Sequence, residues 1–205
     1  MRAARQRGFT LIEMVIALSI VGALLVIMFG GLRVGLGAWR RGEDRAELLE
    51  HERNVEQLVN HAVSGSYLYQ PRTIPGNQGG ILFEGHPDRL AFVTVSPPVP
   101  PPVPIAFTVV TLSLEAGATP GLAVRQKAMP NTEPLEPVPP LFVDPAVTAL
   151  GFRYLREAGG TWEERWDAAK EKALPLAVEV TLTTLMAGRR NEHPPLVIPI
   201  RNSPS

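Results

Sequence analysis

The sequence has no cysteine among its 205 residues. That excludes a disulfide scaffold, thiolate zinc sites and a cysteine nucleophile. An excess of charge is lacking too: Lys+Arg and Asp+Glu both total 20, so nothing in the balance calls for nucleic acid. Aromatic residues make up only 6%, against 21 Pro and 18 Gly, which favours a turn-rich β domain over a helical bundle. With 45% hydrophobic and 20% charged residues, the chain is not a largely disordered one.

Catalytic and metal-binding patterns are also missing. The four histidines, His51, His61, His86 and His193, are widely spaced, with no HExxH motif and no Gly-x-Ser-x-Gly elbow. His51 and His61 stand nearly three helical turns apart, too far for a two-ligand clip on one helix. The aspartates are too scattered for a calcium loop. The expectation is therefore a protein that is not an enzyme, with no metal or cofactor and with its histidines on the solvated surface.

What the chain does contain is an uncharged run of 19 residues from Met14 to Leu32. At about 1.5 Å per helical residue, it nearly crosses a bilayer core of roughly 30 Å. Arg2, Arg5 and Arg7 precede it. A basic leader and an apolar run ordinarily suggest a secretory signal peptide. This run is longer than usual, and Arg33, Arg40 and Arg41 follow it where a small-x-small cleavage site would stand. Both flanks are basic, so charge alone does not set the topology.

Glu13 stands at the mouth of this segment, and an acid there is a functional-site candidate. The residues around it, Gly8-Phe9-Thr10-Leu11-Ile12-Glu13, resemble the processing and assembly signal of the type IV pilin and type II secretion pseudopilin superfamily. The resemblance implies that a prepilin peptidase cuts between Gly8 and Phe9, that the new N-terminal Phe9 is methylated, and that Glu13 becomes fifth in the mature chain. The new ammonium at Phe9 would need a counter-charge in an apolar zone. Glu13, one turn away, can neutralise its own amine or, in a stack of helices, that of a neighbour, which would also set register. A plain anchor whose Glu13 reaches the head groups is the simpler alternative.

No proline interrupts residues 33–64, and Leu48, Val55, Leu58, Val59, Ala62 and Val63 recur at helical spacing opposite a charged face. Gly30, Gly31, Gly35, Gly37 and Gly42 predict a bend or local melting between the two parts of the helix. Short strands are expected at Gly80–Phe83, Arg89–Val95, Ile105–Leu114, Leu122–Lys127, Val147–Leu155, Leu176–Leu185 and Leu196–Ile200. The proline runs Ser96–Pro104 and Asn131–Pro140 read as loops, the first as a stiff connection or a polyproline ligand. Thr161 and Glu164 fit a capping box, which would place Trp162 and Trp166 on one helix face, either in the core or anchoring a partner.

The segment from Phe152-Arg153-Tyr154-Leu155 through the Trp pair to Leu174-Pro175-Leu176, together with Asp88-Arg89-Leu90-Ala91-Phe92-Val93, resembles the J-type minor pseudopilins of type II secretion. The fold this implies is α+β and pilin-like: a long N-terminal helix, half of it transmembrane, packed on an antiparallel β-sheet domain. The expected organisation is a leader at 1–8, a membrane and assembly helix at 9–32, its amphipathic continuation at 33–64 and a β-rich periplasmic domain at 65–205. The implied protein is a single-pass inner-membrane pseudopilin at the tip of the pseudopilus. Its implied partners are the prepilin peptidase, the I and K minor pseudopilins and, through residues 9–32, membrane lipid. A type IV pilus minor pilin serving adhesion or DNA uptake, or a periplasmic binding domain on a membrane tether, are the alternatives.

A side chain at position 8 would obstruct approach of a peptidase to the backbone. Gly8→Val is therefore expected to leave full-length precursor in the membrane; N-terminal sequencing of that variant from Phe9 would show the cleavage assignment to be wrong.

Overall fold

The computed structural model describes residues 10–71, 80–102, 104–117 and 120–201. Contacts divide the chain into two compact units, Met1–Glu50 and His51–Ser205. Helix α1, Leu11–Ser64, supplies the described part of the first unit and the opening of the second.

In the first unit, residues Leu11–Gly37 are long and apolar enough to cross a membrane. Large apolar side chains from Leu11 to Leu32 are all 46% or more exposed among the described residues. The hydroxyl of Ser19 donates to the Val15 carbonyl at 2.8 Å, so this polar group needs no water inside the apolar stretch. The expected melting at the glycines does not occur: α1 runs unbroken through Gly30, Gly31, Gly35, Gly37 and Gly42. A glycine costs a helix about 1 kcal/mol relative to Ala, a weak preference that hydrogen bonding on both sides overrides.

The second unit adds strands β1 (Phe83–Gly85), β2 (Arg89–Thr94), β3 (Thr108–Glu115), β4 (Gly121–Ala128), β5 (Phe142–Asp144), β6 (Val147–Leu155), β7 (Trp162–Glu163), β8 (Trp166–Asp167), β9 (Ala177–Met186), β10 (Arg189–Glu192) and β11 (Leu196–Pro199), with a short helix α2 (Ala168–Glu171) after β8. One sheet has the order β5-β4-β3-β2-β1-β8; the other runs β10-β9-β6-β7, with β11 also on β9. Every pairing is antiparallel. The architecture is thus α+β, an apolar N-terminal helix followed by antiparallel sheets, as the pilin resemblance implies.

The predicted apolar stripe explains why the helix end belongs to this unit. Val55, Val59, Ala62 and Val63 are buried in one core with Phe92 and Leu112 of the first sheet and Phe152 and Val180 of the second. The other face of the first sheet carries a smaller core of Leu82, Val93, Val109 and Met129, with Tyr69, Phe107 and Leu135 against it. Covered on both faces, β2 is buried from Leu90 to Thr94 and reads as a continuous apolar run. Strands β5, β7, β8 and β10 were not expected, and β1 is shifted from Gly80–Phe83 to Phe83–Gly85. Elements of two to four residues hold too few positions for a period of two to show.

Alternation in β9 also hid a buried charge. Glu179, an acid at an alternating position of the strand, is only 6% exposed. Its cross-strand neighbour Arg153 donates through Nε at 2.7 Å and also through Nη2. Covering by this long side chain removes the carboxylate from water and satisfies it in the same step.

Tyr154 is fully buried and donates from its hydroxyl to the His86 carbonyl at 3.0 Å. Burial, with a smaller contribution from Asp88, raises the pKa of its phenol and keeps it a donor. A Cβ on Gly85 would stand 2.6 Å from Tyr154 Cε1 and 2.7 Å from its oxygen. Gly85→Ala is expected to cost roughly 1–3 kcal/mol of stability by overpacking. In denaturant titrations, adding Tyr154→Val should cost less than the sum of the two single losses.

Candidate functional site

The sequence places its main candidates at the start of α1. Gly8 and Phe9 lie outside the described residues. Thr10 immediately precedes the helix and Glu13 is the third residue in it. The Thr10 hydroxyl accepts from the Glu13 N–H at 3.3 Å, and the Glu13 carboxylate accepts from the Thr10 N–H at 3.5 Å. This is a reciprocal capping box, and its signature Thr-x-x-Glu is readable in the sequence beside the membrane and counter-charge roles expected of Glu13. The carboxylate also sits at the positive end of the helix dipole. Both contacts are long and the side chains are exposed, so the acid keeps lone pairs open to a further cation.

The other capping box, expected at Thr161 and Glu164, is not formed. Trp162 lies in β7 opposite Leu155, and Trp166 lies in β8 opposite Gly85. The two rings therefore belong to strands of different sheets rather than to one helix face. Gly159, at φ +79°, allows the turn that folds β7 back on β6, and Trp suits a strand better than a helix. Helix α2 begins only after Asp167, whose carboxylate accepts from Ala169 N–H at 3.1 Å and Lys170 N–H at 3.3 Å.

Trp166 is buried, and its Nε1–H donates to the Ala173 carbonyl at 3.0 Å; Trp162 is half-buried. The Arg156 guanidinium lies 4.8 Å from the Trp166 ring centroid. It also bonds Glu163 at 2.9 and 3.2 Å and Glu171 at 2.5 Å, and these bonds raise its pKa. The Arg156 hydrogen bond lowers the Glu171 pKa, and the Lys170 side chain lowers that of Asp167.

His61 is exposed as expected, but His193 departs from the surface role expected of the histidines. The His193 side chain is only 7% exposed, with Nδ1 2.8 Å from Glu56 and Nε2 3.1 Å from the Thr184 hydroxyl. That hydroxyl donates to Glu52 at 3.1 Å, and Asn191 Nδ2 donates to the same oxygen at 2.9 Å. His51 Nε2 lies 3.0 Å from Asp144 Oδ2 but outside hydrogen-bonding direction. Polar residues of α1 thus reach β5 as well as the β9–β10 hairpin, joining positions distant in sequence that no local motif connects. Among the described residues, no group of three or more His, Asp and Glu is placed to hold a metal ion.

The lowered pKa values of Glu171 and Asp167 give a signed pH dependence. Pairing of these carboxylates stabilises the fold above their unfolded values of about 4, and the contribution is lost as pH falls through the lower folded values. Melting temperature should therefore fall on acidification below about pH 5. Arg156→Gln should reduce that fall, because it releases Glu171; an unchanged pH profile would count against the pairing.

Residues 3–29 match the family described as the prokaryotic N-terminal methylation motif. The chain is also 31% identical, over 93 residues, to the type II secretion system protein J of Xanthomonas campestris pv. campestris. The match covers 45% of this chain and 44% of that protein, less than half the length of each.

Proposed function

We propose that the chain is a minor pseudopilin of the J type, held in the bacterial inner membrane by α1 with its globular unit in the periplasm. In this reading it is matured by prepilin peptidase and joins I- and K-type minor pseudopilins at the pseudopilus tip to support protein export. The likeness to protein J carries the reading, because the methylation motif alone fits type IV pilins equally well. The exposed apolar helix and the acid at its start support it. The role is structural, the subunit being stored in lipid until helix packing with its neighbours allows extraction.

In this mechanism, cleavage releases an ammonium at Phe9 that needs a counter-charge in a medium where a lone charge costs several kcal/mol. Glu13 supplies it, either within the chain or to the neighbouring subunit. Because Glu13 also caps its own helix, loss of the cap must be separated from loss of the charge. Glu13→Gln keeps an oxygen that can accept from the Thr10 N–H and removes only the charge. Glu13→Ala removes both.

The expected outcome is normal membrane insertion and cleavage in both variants, with a comparable partial loss of secretion. Blots for cleavage beside a secretion assay read the two steps apart. Secretion restored by Gln but not Ala would assign Glu13 to capping alone. Full secretion by both, even with the same change in the tip partners, would leave α1 as a simple anchor.

A further inference from the structure

The outer face of the first sheet carries a cleft with two arginines in its lining that the secretion reading does not use. Arg89 on β2, Thr111 and Ser113 on β3 and Arg125 on β4 line about 220 Å³, with Pro137 as one wall. Register sets Arg89 opposite Ser113 and Thr111 opposite Arg125, so all four side chains rise from the same face. Segment Asn131–Pro140 crosses this face. Its carbonyls accept from Lys127 at Glu133, from Arg89 at Leu135 and from Arg125 at Val138.

The two guanidiniums differ in how far they are satisfied. Arg125 pairs with Glu115 and donates to Ser113 Oγ at 2.9 Å and to the Val138 carbonyl at 2.8 Å. Among the described residues the Arg89 side chain makes one hydrogen bond, to the Leu135 carbonyl at 3.4 Å, and has no carboxylate partner. Thr111 makes no side-chain hydrogen bond among them either. The cleft therefore presents a spare guanidinium fork, a spare hydroxyl and one positive charge without a local partner. Its volume exceeds that of several waters, at roughly 30 Å³ each, and falls short of the roughly 300 Å³ at which small-molecule sites begin. That size suits one functional group on a short stem, and the side open to solvent suits a group carried on a passing chain.

We propose that this cleft receives a side-chain carboxylate from an acidic segment of a protein partner. Arg89 would hold the two carboxylate oxygens in its fork, and the Thr111 hydroxyl would donate to one of them. The companion cleft on the second sheet is unsuited to this. It is lined by Glu164 and Glu179, and its arginine, Arg153, is already committed to Glu179.

Direct binding tests the assignment, independently of secretion. The full chain in maltoside micelles is titrated against a fluorescent hexaglutamate peptide blocked at both ends. A hexaglutamine peptide with a free C-terminal carboxylate and inorganic phosphate serve as competing probes. Arg89→Gln should weaken hexaglutamate binding roughly tenfold, and Thr111→Val, which leaves the Arg89–Leu135 bond in place, about threefold. Arg190→Gln, an exposed cation on β10, should leave it unchanged. Wild-type affinity in Arg89→Gln or Thr111→Val would overturn the proposal, as would equal loss in Arg190→Gln. So would failure of the blocked peptide to bind, or its displacement by phosphate or the free carboxylate at lower concentration than by unlabelled hexaglutamate.

Discussion

A helix that ends inside a protein leaves its last carbonyls facing groups other than water, and the second unit is built around that constraint. Ala62 and Val63 are fully buried at the end of α1. The Gly65 N–H and the Ser64 hydroxyl serve the His61 carbonyl, the Thr94 hydroxyl serves Ala62 at 2.9 Å, and the Ser66 hydroxyl serves Val63 at 2.6 Å. The chain then returns along β2, with Tyr67 N–H to the Val93 carbonyl and Val95 N–H to that of Gly65. One set of bonds both closes the helix and fixes the end of a central strand. Gly65 is required there because a Cβ would come within 2.6 Å of the Thr94 hydroxyl oxygen. Register then passes from β2 to β3 and β4.

The prolines impose a second condition. Each proline removes a backbone donor while keeping its carbonyl, so proline-rich segments carry surplus acceptors. Three consecutive residues of β4 supply donors to both such segments. Gln126 grips the first through Val99, accepting its N–H and donating to its carbonyl, both at 2.9 Å. Arg125 and Lys127 donate to carbonyls of the second. The first segment is therefore pinned at Val99 as a stiff connection. The second lies across a sheet face, where Leu135 joins the smaller core.

Periodicity made much of this legible. The stripe from Val55 to Val63 and the strands β2, β6 and β9 stood out because each repeats its burial over several positions. The Thr10–Glu13 cap is equally local, its Thr-x-x-Glu pattern lying beside the stronger membrane signal. The Trp pair failed for the opposite reason: Thr161 and Glu164 match a capping pattern, but strand partners at Tyr154 and Leu155 decide the conformation. Residues joined by long-range contact, such as His193 with Glu56 and Glu179 with Arg153, gave no sign of their burial, since nothing adjacent to them in sequence determines it. Arg89 and Ser113 likewise become neighbours only when β2 and β3 pair.

The treatment of sheet edges bears on how such a chain associates. Ile200 N–H bonds to the Leu176 carbonyl, and the alternation of an antiparallel ladder then turns the backbones of Val197 and Pro199 away from β9. Of those two outward positions only Val197 has a donor, and Pro194 and Pro195 stand just before the strand. Strand β10 exposes Arg189, Arg190 and Glu192, while β5 is three residues long between Pro140 and Pro145. Short, charged or proline-flanked edges resist addition of a foreign strand. With strand addition disfavoured at these edges, the exposed apolar residues of the helix in the first unit and the cleft on the first sheet offer other surfaces. The helix offers shape and apolar area with little polar detail, which suits repeated packing in lipid or against similar helices. A cleft that carries charge and hydrogen-bonding groups can in contrast distinguish one protein from another.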